Sequence, residues 1–232
     1  MTPLYDPDDH GEAMTTPTLY YSPGTCSLAC QVVAEWTARP YALCRVERAV
    51  RSGPLYLAIN PAGKVPALAT GHGVLTEANA ILLHLGRRNP DAPEVAAAWA
   101  DPDALEYWLS YLASAFHAAF FPYYNPQRYH PDPAQHDAVK AAAVVQIRKE
   151  LGHVEAALQT RPWVLPQRSL LDPYLFAMSR WARSMFDLPR EFEAIARHQA
   201  ALEADPAVAA SLAIERGEPA AAMHLTTHDV LA

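Results

Sequence analysis

Thr18-Leu19-Tyr20-Tyr21-Ser22-Pro23-Gly24-Thr25-Cys26-Ser27-Leu28-Ala29 decides how the chain is read. Thr18 to Tyr21 is a β-prone run, because β-branched and aromatic side chains suit a pleated, half-buried surface. Ser22-Pro23-Gly24 closes it with a turn signal: proline presets its φ and glycine tolerates the left-handed region. Beyond the turn, Leu28, Ala29, Val32, Val33 and Trp36 recur at intervals of three and four. That spacing puts them on one face of a helix over Cys26–Thr37. Arg39-Pro40 ends it, since the residue before a proline is pushed out of the helical region. Tyr41 to Val46 reads as a second strand, and a strand–helix–strand unit pairs its strands in parallel.

Downstream, Arg51 to Ala62 is irregular and leads into Asn60-Pro61-Ala62-Gly63-Lys64-Val65-Pro66-Ala67-Leu68. Proline cannot donate to a ladder, so Pro66 belongs at the start of a strand. Gly71-His72-Gly73 separates two short apolar runs at hairpin spacing. Glu77 to Arg88 is then a helix with Ile81, Leu82 and Leu85 inward. Past a proline-rich stretch no strand is evident. Asp101-Pro102 reads as an N-cap with proline at the first helical position. Leu105, Trp108, Leu109, Leu112 and Phe116 mark one face of a long helix. A Pro- and Tyr-rich break (Phe121 to Pro133) precedes an Ala-rich helix over Ala134–Gln159. Ser169-Leu170-Leu171-Asp172 resembles a capping box with Asp for the usual Glu or Gln. Shorter helices are expected over Arg190–Ala204 and Pro206–Arg216, and the last dozen residues look like a tail. The expected organisation is a leader over 1–16, an α/β domain over 17–89, a linker over 90–101, an all-helical domain over 102–220 and a tail over 221–232.

Composition bounds the function. Hydrophobic residues make up 51% and charged residues 19% of 232, enough for a sizeable core. The formal net charge is -7 and there is no basic tract, which argues against nucleic acid or an anionic membrane as partner. No apolar run approaches the roughly 18 residues that a membrane span needs. The acidic N-terminal stretch lacks a signal peptide's cationic start and apolar core, so a cytoplasmic location is expected. Cys26, Cys30 and Cys44 are an odd number of cysteines, to be judged as thiols rather than as a disulfide framework. No metal-ligand spacing and no phosphate-binding glycine loop is present, so no metal is expected.

Leu19 to Ala29 resembles the opening of the bacterial beta-class glutathione transferases. Asn60-Pro61-x-Gly63-x-Val65-Pro66-Ala67-Leu68 resembles the stretch before that family's third strand. Leu75-Thr76-Glu77-x-x-Ala80-Ile81 resembles its turn into the third helix, and Trp108 to Tyr124 is similar to the first long helix of its second domain. The resemblance runs from about Thr18 to Arg216. It implies a thioredoxin-like domain with a mixed four-stranded sheet, followed by a helical bundle. It also implies glutathione as co-substrate, a hydrophobic electrophile as second substrate, and a homodimer.

Site residues follow from the same match. Val65, ahead of a cis Pro66, is expected to offer its backbone to glutathione, with Lys64 beside it. Glu77 is expected to pair with the γ-glutamyl ammonium. Ala78 stands where the family usually has Ser, which removes a hydroxyl donor. His117 matches a family histidine near the active-site sulfur, and Ala118 stands where Lys is common. Cys26 opens a helix, where N–H groups and the dipole favour thiolate; the other reading is a small buried residue. Ser27 is its rival as the group that holds the glutathione thiolate. Cys30 reads as helix packing and Cys44 as strand core. Phe116, Phe120 and Tyr124 suit either a second-substrate pocket or the helix core. Three functions compete: conjugation of glutathione to an electrophile, thiol–disulfide exchange through Cys26, and a non-catalytic scaffold.

Overall fold

The computed structural model describes residues 16–219 and 221–231. The expected leader lies, apart from Thr16, outside the described residues. The chain forms two units, one running through Ala96 and resuming at Glu203, the other Ala97–Leu202.

The first unit begins with β1 (Thr18–Tyr21), α1 (Ser27–Trp36), β2 (Tyr41–Val46), α2 (Pro54–Leu57), β3 (Ala67–Thr70), β4 (Gly73–Thr76) and α3 (Ala78–Arg87). β1 pairs in parallel with β2 and antiparallel with β3, so Leu19 lies opposite Leu43 on one side and Leu68 on the other. All three leucines are buried, and the row they form seeds the core under α1 and α3. β3 and β4 form the expected hairpin. The expected linker holds a further helix, α4 (Pro93–Trp99). The prolines there read as a break, but Pro93 starts the helix, where a missing N–H costs nothing. Val95 and Ala98 then bury its inner face.

The second unit contains α5 (Pro102–Tyr111), a π-helical turn (Leu112–Phe116), α6 (His117–Tyr124), α7 (His136–Gln159), α8 (Leu171–Ser179) and α9 (Leu188–Glu191). α10 (Glu193–Glu203) carries the chain back to the first unit. Asp101 caps α5 by accepting from the Ala104 N–H. α6 runs through Pro122 to Tyr124, further than the expected break at Phe121. Ser169 and Asp172 do form a reciprocal box at α8: Ser169 Oγ accepts from the Leu171 N–H, and Asp172 Oδ2 accepts from the Ser169 N–H at 2.7 Å. Asp172 Oδ1 also takes the Val164 N–H and lies 3.0 Å from His198 Nε2.

The chain then forms α11 (Pro206–Arg216), capped by Asp205 and ended by Gly217 at φ 74°. α11 packs on α1. The stretch expected to be a tail holds a fifth strand, β5 (Leu225–Leu231), parallel to β2. The sheet order is β4-β3-β1-β2-β5, five strands rather than the expected four. Leu225–Leu231 lacks a clear apolar alternation and is mostly exposed. It becomes a strand because the edge of β2 accepts it, not through propensity of its own.

Candidate functional site

The turn Ser22–Cys26 links β1 to α1, and its polar side chains lock it. Thr25 Oγ1 donates to the Ser22 carbonyl at 2.8 Å and lies 2.6 Å from Ser27 Oγ. With the Thr25 proton on Ser22, Ser27 is the donor in that contact. Its oxygen also accepts from the Ser22 N–H. Ser27 is 0% exposed. Its one proton is therefore engaged inside the turn, and the rival candidate is a structural residue here. Ser22 Oγ donates to the Val46 carbonyl and accepts from Arg51 Nε at 3.1 Å.

Cys26 is the N-cap of α1 and 6% exposed. Burial pushes its thiol up to about 12, an effect that Glu77 adds to, while its own backbone N–H and Arg51 oppose it. The sequence expectation is a depressed thiol pKa; burial acts in the opposite direction. The first N–H groups of α1 are already engaged: Ser27 N–H with Thr25 Oγ1, Leu28 N–H with the Thr25 carbonyl, Ala29 N–H with the Cys26 carbonyl. Desolvation outweighs what remains of the helix terminus. Cys30 is wholly buried and Cys44 nearly so, and burial raises both thiols.

The loop before β3 is built around one carbonyl. Tyr56 Oη and Asn60 Nδ2 both donate to the Lys64 carbonyl, at 2.6 and 2.7 Å. Asn60 Oδ1 also accepts from the Ala62 N–H. Gly63 has φ 61°, and a Cβ there would come within 3.1 Å of the Arg51 carbonyl, so only glycine fits. The Val65–Pro66 bond is cis. Among the described residues, neither the N–H nor the C=O of Val65 takes part in a hydrogen bond. The Lys64 side chain is exposed and Pro66 is buried.

Glu77 precedes α3 with φ 69° and ψ 123°, a conformation that strains any residue with a Cβ. Its exposed carboxylate makes no hydrogen bond or ion pair among the described residues. The Glu77 side chain does not cap α3, whose N-terminus is the end of a helix that favours an anion. Ala78 is buried. Glu77 and Arg51 both act electrostatically on the Cys26 thiol, in opposite directions. Arg51 is tied to the Cys26 turn through Ser22, and sequence reasoning passed over it. It sits in an irregular segment without periodicity, and its hydrogen bond to Ser22 is visible only in three dimensions.

In the second unit, the His117 ring lies 4.8 Å from Phe121 and 5.1 Å from Trp181 between centroids. Phe120 meets Trp181 edge-on at 5.3 Å, and Tyr124 Oη donates to the Trp181 carbonyl. Phe116 is 0% exposed and packs on Phe120, which corrects its assignment as a pocket residue: it is core. Phe120 is also buried, whereas Tyr124 is 46% exposed. Trp181 gathers His117, Phe120 and Tyr124 into one aromatic cluster, and the sequence offered no motif to single it out. Among the described residues, no group of three or more His, Cys, Asp or Glu side chains is arranged to hold a metal ion.

A family model described as glutathione S-transferase, N-terminal domain, matches residues 16–87. The glutathione S-transferase GstA of Escherichia coli is 33% identical over 171 residues, which cover 71% of this chain and 81% of that protein. The solved structure of a sphingomonad glutathione S-transferase complexed with glutathione is 34% identical, with a TM-score of 0.75 over 86% of this chain and 98% of that one. A bacterial beta-class enzyme from Sphingomonas chungbukensis is 31% identical, with a TM-score of 0.73 over 85% and 98% of the two chains. With the Val65–Pro66 loop, the Cys26 turn and the Glu77 junction in place, the chain belongs to the glutathione S-transferase family.

Proposed function

We propose that the protein joins the thiol of glutathione to a hydrophobic electrophile, at a site formed by the Cys26 turn, the Val65–Pro66 loop and Glu77. The observation that carries this reading is the free backbone pair of Val65, held in place by Tyr56 and Asn60 next door. An open N–H and C=O on one residue can pair with an extended peptide, and glutathione is one. Glu77 supplies a carboxylate for the γ-glutamyl ammonium. The N-terminus of α3, with its helix dipole, favours the neighbouring carboxylate. Arg51, with one donor on Ser22, has others for a second carboxylate.

Cys26 acts in this reading as a neutral thiol. Kept protonated, it donates an S–H hydrogen bond to the glutathione sulfur and favours its thiolate, the species that attacks the electrophile. The same protonation removes the nucleophile that thiol–disulfide exchange needs, so exchange is not favoured. His117, Trp181 and Tyr124 offer an aromatic surface suited to an apolar second substrate. A homodimer and a cytoplasmic location fit the reading; three free cysteines suit a reducing compartment. The test is glutathione titration of wild type against Glu77→Gln and Cys26→Ala. Undiminished affinity in Glu77→Gln would remove the site from this face of the domain.

A further inference from the structure

The turn that carries Cys26 is gripped from a part of the chain far away in sequence. Tyr21, the last residue of β1, directly precedes the turn, and its side chain is fully buried. Its hydroxyl lies 2.8 Å from Nε2 of His228, 207 residues on, and the two rings are 5.7 Å apart. Past the bend, the Gly24 N–H donates to Glu215 Oε1 at 3.0 Å. The start of the turn is thus held by β5 and its middle by α11.

The surroundings favour the uncharged forms of both Tyr21 and His228. Burial raises the Tyr21 phenol to about 12, with Arg45 opposing and Glu215 and Glu47 adding to it. Burial and Arg45 lower His228, with Asp229 opposing. A protonated phenol thus faces a neutral imidazole, and the His228 tautomer sets which of the two donates.

β5 does not earn its place by burying apolar surface, since Thr226 to Val230 are all exposed. It is held instead by polar contacts that fix its register. Glu35, a buried acid of α1, accepts from the Met223 N–H, the His224 N–H and Tyr41 Oη. Thr226 Oγ1 donates to the Tyr41 carbonyl. In that register His228 meets Tyr21, and a slip of one residue would turn His228 to the other face.

We propose that His228 is a positioning residue of the glutathione site: by holding the Tyr21 hydroxyl it fixes the end of β1, and so the place at which the Ser22–Cys26 turn presents the Cys26 sulfur. The inference rests on the reading that this turn faces the glutathione thiol. β5 is then a working part of the site and not an appendage of the sheet.

The experiment measures the glutathione dissociation constant, the KM for each substrate and the melting temperature of full-length His228→Ala, His228→Gln, Tyr21→Phe and the double variant His228→Ala/Tyr21→Phe. Loss of one hydrogen bond corresponds to about a three- to tenfold effect. His228→Ala and Tyr21→Phe are each expected to weaken glutathione binding by that factor and to raise its KM, leaving the KM of the electrophile unchanged. The double variant is expected to bind no worse than either single one. His228→Gln, whose amide oxygen accepts from the hydroxyl, restores most of the affinity. Tyr21→Phe removes one oxygen and keeps the buried ring, so it reports even where His228→Ala folds poorly. Affinities within twofold of wild type in both single variants, whatever their melting temperatures, overturn the proposal. Glu77→Gln separates the two levels. If it abolishes binding while Tyr21→Phe and His228→Ala do not weaken it, only the positioning role falls. If it leaves binding intact, the site reading falls and the inference with it.

Discussion

At Cys26, burial and the start of a helix pull in opposite directions, and burial prevails. Because burial pushes the folded thiol up to about 12 from its ordinary 9.0, the fold favours the protonated form. That contribution to stability is fully present below about pH 9 and is lost as pH rises toward about 12. Ultraviolet thiolate absorbance should therefore show no Cys26 signal from neutral pH to about 9, judged by difference against Cys26→Ser. A thiolate titrating below pH 8 would contradict the neutral-donor role. In conjugation, Cys26→Ala is expected to lose about tenfold or more in kcat/KM, the scale of a hydrogen bond to a charged group, while Cys26→Ser keeps a donor and most of the rate. At Ala78 the prediction runs the other way. A serine there restores a hydroxyl donor at the start of α3, and Ala78→Ser should tighten glutathione binding by about tenfold, measured by titration. No change would mean that a hydroxyl at this position adds nothing to the grip of α3 on the carboxylate.

Among the elements, those with a strong period or a distinctive turn were legible in the sequence. β1, α1 and β2 came from the Tyr-Tyr-Ser-Pro-Gly signal and the spacing of Leu28 to Trp36. The Ser169–Asp172 box was readable because its partners are three residues apart. Asp172→Ala removes an acceptor from Ser169, Val164 and His198 at once, and should cost about 3 kcal/mol, read as a lower denaturation midpoint. What could not be read was whatever depends on partners distant in the chain. α4 hid behind its prolines. Trp181 and Arg51 gain meaning only from the rings and hydroxyls that the fold brings to them. The cis Val65–Pro66 loop came from resemblance, and its supports, Tyr56 and Asn60, from the structure alone. β5 is the clearest case, because Glu35 and the edge of β2 specify it. Without β5, the apolar run Tyr41–Val46 would form an open edge. Deleting residues 223–232 is expected to produce concentration-dependent self-association, seen by light scattering, because an unguarded apolar edge templates pairing. A truncated chain that stays monodisperse like the full-length protein would show that β2 needs no cover.

For the molecule as a whole, the family's fold is present, and the family resemblance expects Ser at Ala78 and Lys at Ala118. In the proposed site Ala78 then lacks a hydroxyl donor for a glutathione carboxylate. Arg51, the start of α3 and the Val65 backbone are the proposed means of binding. The central claim is therefore that this set still holds glutathione and activates its thiol. Calorimetric titration of the reduced protein with glutathione tests it most directly. Saturable binding at one site per chain is expected, abolished or strongly weakened in Glu77→Gln. Absence of binding at millimolar glutathione, or equal binding by wild type and Glu77→Gln, would contradict it.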